Sequence, residues 1–187
     1  MAGGEGYVAT RTQRSLARSG ISTQPVILDR APTHLGKIHP GVCGDALALP
    51  FQDNSFDAVC EFSTLHHVLN PSPVVGEMLR VARKVVLIAD SNRFGQGSKI
   101  ARLIKFALYK TGLWPAYWSF RTRGKGYIVD EGDGLAYSYS VYDSYDQVAE
   151  WADRIVLVPA NRGSAPSWFH PLLNRDAILL FAFKEAD

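Results

Sequence analysis

The chain has 187 residues, 47% of them apolar, which suits one domain with a sizeable core. A formal net charge of +2 gives no chain-wide reason to expect nucleic acid as a partner. No run approaches the ~18 apolar residues of a membrane span, and Met1-Ala2-Gly3-Gly4-Glu5-Gly6 lacks the apolar stretch of a signal peptide, so a cytoplasmic chain is expected.

In chain order, residues 8–18 read as a helix ended by Gly20. Pro25 to Asp29, Gly41 to Asp45 and Asp57 to Phe62 read as short strands. Cys43 and Cys60 fall in two of these, as buried, reduced thiols on adjacent strands. Val74, Val75, Met78, Leu79 and Ala82 recur at helical spacing over 73–83, and the β-branched run 84–90 reads as a buried central strand. Ile100, Leu103, Ile104, Ala107 and Leu108 form the stripe of an amphipathic helix. A helix over 143–151 precedes two closing strands, 154–159 and 177–183. This alternation predicts an α/β, Rossmann-like, doubly wound and mostly parallel sheet with helices on both faces and an antiparallel C-terminal strand. One domain spans 1–187, with about 91–150 as an acceptor-pocket or lid region.

One run is more specific than any periodicity. Gly44-Asp45-Ala46-Leu47-Ala48-Leu49-Pro50-Phe51 continues through Ser55-Phe56-Asp57 to Leu65-His66-His67-Val68. It resembles the middle of the class I S-adenosylmethionine-dependent methyltransferase family, of the small-molecule, methyltransferase-11-like type. The resemblance implies S-adenosyl-L-methionine as cofactor and Asp45, with the adjoining Ala46, as the adenine-binding segment. It also aligns Gly4 and Gly6 with the last two glycines of the family's first motif, Ala2 standing where the first would be. The distance from Gly6 to Asp29 is close to the ~20 residues expected between a glycine turn and its ribose acid. Glu61 and Phe62 close the next strand, where backbone groups face the cofactor. Asp57 opens its strand and reads as structural. The strand that should feed the glycine turn is missing from the sequence, so the family match is N-terminally incomplete. The family's Lys-Pro-Gly-Gly turn before the central strand is absent as well, leaving a short connection at Arg83-Lys84.

Methyl transfer from a sulfonium needs positioning and water exclusion more than an enzyme nucleophile. A hydroxyl acceptor would also need a base, and His67, beside His66, lies at the mouth of the expected site. A packed structural histidine is the alternative there. His170, among Trp168, Phe169 and Pro171, reads as a surface-loop residue. His34 and His39 have no cysteine partners at zinc spacing, so no metal is expected.

No acid lies between Asp90 and Asp130, where Arg93, Lys99, Arg102, Lys105, Lys110, Arg121, Arg123 and Lys125 fall; the following stretch to Asp153 is acidic without a base. With its aromatic residues, this segment suits an anionic or sugar-bearing small-molecule acceptor, or a helix lying on acidic lipid as a peripheral contact. A basic helix face paired with the acidic stretch is the plainer reading. The oligomeric state stays open. Two functions follow: a methyltransferase acting on a sugar-, lipid- or secondary-metabolite-like molecule, or a non-catalytic partner protein that keeps the fold with a degenerate cofactor loop.

Overall fold

The computed structural model describes residues 3–95, 97–132, 134–160 and 176–185. Helix α1 (Tyr7–Arg18) leads to the short strands β1 (Ile27–Asp29) and β2 (Gly41–Cys43), which pair in parallel. Strand β3 (Phe56–Phe62), helix α2 (Ser72–Val81) and strand β4 (Ala82–Ser91) form a parallel unit. Helices α3 (Lys99–Lys110) and α4 (Trp114–Arg121) follow, then the antiparallel hairpin β5 (Tyr127–Asp130) and β6 (Gly134–Tyr137). Helix α5 (Tyr145–Ala149), β7 (Arg154–Pro159) and β8 (Ala177–Phe183) close the chain. His170 and its neighbours lie outside the described residues.

The main sheet has the order β3-β4-β8-β7, with β8 antiparallel to both neighbours. The β1–β2 pair forms its own sheet, and among the described residues no strand joins β1 to β3. This is the mixed Rossmann-like sheet with an antiparallel C-terminal strand that the alternation predicts, divided where a first strand would stand. The two parts still share one core, in which Leu28 and Leu49 join Val59, Leu65, Val74, Met78, Val86, Ile88, Ile178 and Leu180.

Helix α2 supplies most of the cover, burying Val74, Val75, Met78, Leu79 and Val81. The missing Lys-Pro-Gly-Gly turn has a simple explanation. Ala82 caps the helix in an extended conformation, its N–H donating to Met78 O, and is already the first residue of β4. Helix α1 buries none of its residues and so adds little cover to the core.

Other expectations need correction. Cys43 is exposed and Cys60 only half-buried, neither in a disulfide, and their strands are not neighbours because β2 pairs with β1 and β3 with β4. The helix expected over 143–151 is shortened because Ser140 and Asp143 form a capping box that tightens residues Val141–Ser144 into a 3-10 turn. The hairpin β5–β6 and helix α4 carry no clear periodic signal and were not predicted.

Candidate functional site

The glycine-rich start of the chain folds onto the carboxyl end of β1. Gly3 N–H donates to Leu28 O at 3.1 Å, and Gly4 N–H donates to Asp29 Oδ2 at 2.9 Å. Gly4 and Gly6 have φ of 50° and 89°, left-handed values that favour glycine, and Gly6 caps α1. Gly3 was not singled out from the sequence, yet a Cβ there would stand 2.5 Å from Ile27 Cγ2. Only a bare backbone fits so close to β1.

Asp29 is buried at the end of β1 and accepts a second backbone bond, Ala31 N–H to Oδ1 at 2.8 Å, with His34 3.6 Å away. Burial pushes its carboxyl up, but the backbone donors of Ala31 and Gly4, with His34, outweigh burial and hold it below its ordinary value. It is therefore an anion at neutral pH, and each oxygen keeps a second lone pair for a further donor.

Asp45 follows β2, one strand over. Its Oδ1 accepts Leu47 N–H at 3.0 Å, and Arg30 lies 3.7 Å from Oδ2. Ala46 packs against the core and anchors this segment. The Leu49-Pro50-Phe51 turn is pinned from α2: Leu49 N–H donates to Glu77 Oε2 at 2.7 Å, while Arg80 donates to Leu49 O and Phe51 O and pairs with Glu77 and Asp53. The Glu77-x-x-Arg80 spacing was the available signal for this clamp. Asp57 pairs with Arg83 and Lys84 on the surface, in keeping with a structural role.

At the carboxyl ends of β3 and β4 lies a buried polar cluster that sequence reasoning missed. Glu61 pairs in register with Ile88, so Asp90, two residues on, projects on the same face. Asp90 accepts Leu65 N–H at 2.8 Å and faces His66, whose Nδ1 is 2.6 Å from Oδ1. Glu61 accepts from the backbone of Thr64 and Leu65 through Oε1, and no donor meets its Oε2. Burial first, and then the Asp90 charge, push Glu61 up to about 8. Burial also raises Asp90, but His66 and Ser91 N–H hold it below its ordinary value. At neutral pH Glu61 keeps its proton beside an anionic Asp90. The Glu61 side chain thus belongs to the core, which leaves its backbone, with Phe62, for a ligand role.

His67 stands beside His66, ring centroids 3.9 Å apart, with Nδ1 2.8 Å from Leu135 O of the hairpin. A carbonyl only accepts, so Nδ1 carries the hydrogen and, in the neutral ring, Nε2 is the basic nitrogen. Just beyond, a cleft of about 250 Å³ is lined by Val68, Asn70 and Ser72 on one side and by Tyr137, Ser138 and Tyr139 on the other. Arg93 Nη1 donates to Ser138 Oγ at 3.3 Å, and its guanidinium pairs with Asp143, joining the basic and acidic stretches. No group of residues that could hold a metal ion occurs among the described residues, and no helix among them is long and apolar enough to cross a membrane.

The sequence and the fold are similar to those of known proteins. The family model Methyltransf_11, described as a methyltransferase domain, matches residues 1–88. A demethylmenaquinone methyltransferase of Roseiflexus castenholzii is 44% identical over 61 residues, 33% of this chain and 26% of that protein. Its counterpart in Renibacterium salmoninarum is 52% identical over 42 residues, 22% of this chain and 18% of that protein. The chain thus spans about a quarter or less of the curated relatives that it matches. A SAM-dependent methyltransferase structure from Methanosarcina mazei superposes with a TM-score of 0.58 at 15% identity, over 99% of this chain and 90% of that one, which establishes the fold.

Proposed function

We propose that this chain, which is a class I S-adenosylmethionine-dependent methyltransferase-fold domain of the Methyltransf_11-like type, transfers a methyl group to a small-molecule acceptor. The carrying observation is the convergence of the Gly3–Gly6 turn on Asp29, with Asp45 at the end of the neighbouring strand. Dinucleotide and nucleoside ligands lie beyond the carboxyl ends of such strands. Asp29, anionic and fixed by two backbone donors, suits the two ribose hydroxyls; Asp45 suits an amino donor on adenine. At left-handed Gly4 no atom lies within 4 Å of where a Cβ would stand, so a ligand can approach the main chain there. Backbone groups of Ala46, Glu61 and Phe62 complete the rim.

When bound, S-adenosyl-L-methionine supplies an activated methyl group. The chain's own part is to place the acceptor and to take up its proton. The cleft beside His67 presents Ser72, Tyr137, Ser138 and Ser144, which suits an acceptor bearing hydroxyl groups, such as a sugar. His67 Nε2 is the proposed proton acceptor, with Leu135 O fixing its tautomer, and the His66–Asp90 pair stiffens the turn behind it. The curated relatives carry the name demethylmenaquinone methyltransferase; the acceptor of this chain is left at the class of small hydroxyl-bearing molecules.

A non-catalytic binding role is the second reading. It is favoured by the slender attachment of the glycine turn, whose strand-like bond to β1 is Gly3 to Leu28, with no ladder joining β1 to β3 among the described residues. Calorimetric titration with S-adenosylhomocysteine separates the two. Saturable binding at micromolar concentration supports the enzyme, and a folded sample that releases no heat of binding favours the second reading.

A further inference from the structure

Ile100, Leu103, Ile104, Ala107 and Leu108 are expected as the stripe of an amphipathic helix. The structure turns most of that stripe outward. Helix α3 buries none of its residues, and Ile100, Leu103 and Ile104 are 71%, 55% and 54% exposed. The flank toward the protein is instead Ala101, Arg102, Lys105, Phe106 and Leu108, all half-buried. This orientation is fixed by the interior. Fully buried Phe94 meets Tyr109 edge-on at 4.9 Å, and Lys105 Nζ donates to Arg93 O at 2.9 Å. Rolling the apolar stripe inward would break both contacts.

Beyond α3, the surface continues in the same character. Leu113 is 55% exposed, and Phe120 of α4, 85% exposed, stands with Tyr117, Arg121 and Arg123 around an open depression. Arg102 and Arg121 are near enough to Lys105 that, after burial, their charges are the next causes lowering its proton affinity. Residues 91–129 carry eight cations and no acid.

We propose that the outward face of α3, with the adjoining end of α4, docks on an anionic lipid bilayer, its apolar stripe in the interface and its cations at the headgroups. Exposed apolar side chains flanked by lysine and arginine are what an in-plane helix needs, and no helix among the described residues could span instead. Charge decides against a second copy as occupant. A two-fold contact would set this cation-rich surface against itself, with no acid from residues 91–129 to offset the repulsion. The proposal does not depend on the methyl-transfer reading, since none of these residues lies in the site described above.

The test is flotation of the whole chain with phosphatidylcholine vesicles, with and without phosphatidylglycerol. Binding to the anionic vesicles should be roughly tenfold or more above the neutral ones and should weaken as salt rises. The double variant Leu103→Glu/Ile104→Glu should lose binding by roughly tenfold, because both side chains would leave the interface. Both positions are exposed, so its denaturation midpoint should match that of the parent. Lys99→Glu/Lys110→Glu should reduce anionic selectivity while leaving the weak neutral binding. The proposal is overturned if the folded chain binds neither vesicle, binds both equally, or binds undiminished in the Leu103/Ile104 variant. It also fails, in favour of self-association, if light scattering shows a dimer that this variant abolishes while vesicles capture nothing.

Discussion

Residues 56–91 and residues 3–43 each contain a parallel pair of strands, yet they are held very differently. Strands β3 and β4 pair over most of their length and bury Val59, Val86 and Ile88 against α2 and β8. Strands β1 and β2 are three residues each, pair with one another, and carry a glycine turn tied to β1 by one backbone bond and one bond to the Asp29 carboxylate. Most of the buried packing therefore resides in the first region, and the proposed ribose-binding Asp29 with its glycine turn in the second. Sites that must admit a ligand are commonly built from the less stable parts of a fold.

The sharpest way to break this contrast is a cavity in the main sheet. Ile88→Ala, at a fully buried position, should cost about 2–5 kcal/mol in denaturant unfolding. If it proved neutral, the β3-β4-β8 unit would not be the stabilising one.

A second test uses pH. A carboxyl whose folded pKa lies above its unfolded value binds its proton more tightly when folded. Glu61 is raised from 4.5 to about 8, so its contribution is full below pH 4.5 and is lost as pH rises through about 8. Asp90, held below its ordinary value, has the opposite sign and loses its contribution as pH falls through its folded value. Unfolding measured from pH 5 to 9 should show the parent weakening while Glu61→Gln stays nearly flat. Parallel curves would mean that Glu61 is not protonated beside Asp90.

Smaller effects are expected in the glycine-turn region, and on binding rather than stability. Asp29→Ala and Asp45→Ala should each weaken S-adenosylhomocysteine binding by about 1–3 kcal/mol in calorimetry, as for hydrogen bonds to a charged group. Unchanged affinity in both would remove them from the site. Gly3→Ala forces a Cβ onto Ile27 and should lower ligand affinity several-fold, while changing the unfolding free energy by only about 1 kcal/mol, since the turn lies at the margin of the core. A larger loss of stability would show that the turn braces β1 more than its few bonds suggest.

Much of this architecture was legible because it depends on local signals. The period-3.6 run over α2, the β-branched run of β4 and the bounds of β7 and β8 lie within single segments of chain. The resemblance carried by Gly44-Asp45-Ala46 and Ser55-Phe56-Asp57 likewise placed Asp29 and Asp45 at strand ends. The hairpin was not legible, because its exposed Ile128, Val129 and Leu135 break the alternation of a half-buried strand.

By itself, then, the sequence determined the fold class, the order of most elements and the acids beside the glycine turn. Tertiary structure decided the rest. The register of β3 against β4 brought Glu61 to Asp90, a juxtaposition that no spacing along the 28 intervening positions encodes. The anchoring of Phe94 and Lys105 turned the apolar stripe of α3 outward. A periodic pattern tells which side chains share a helix face, but what covers that face depends on where the helix is attached.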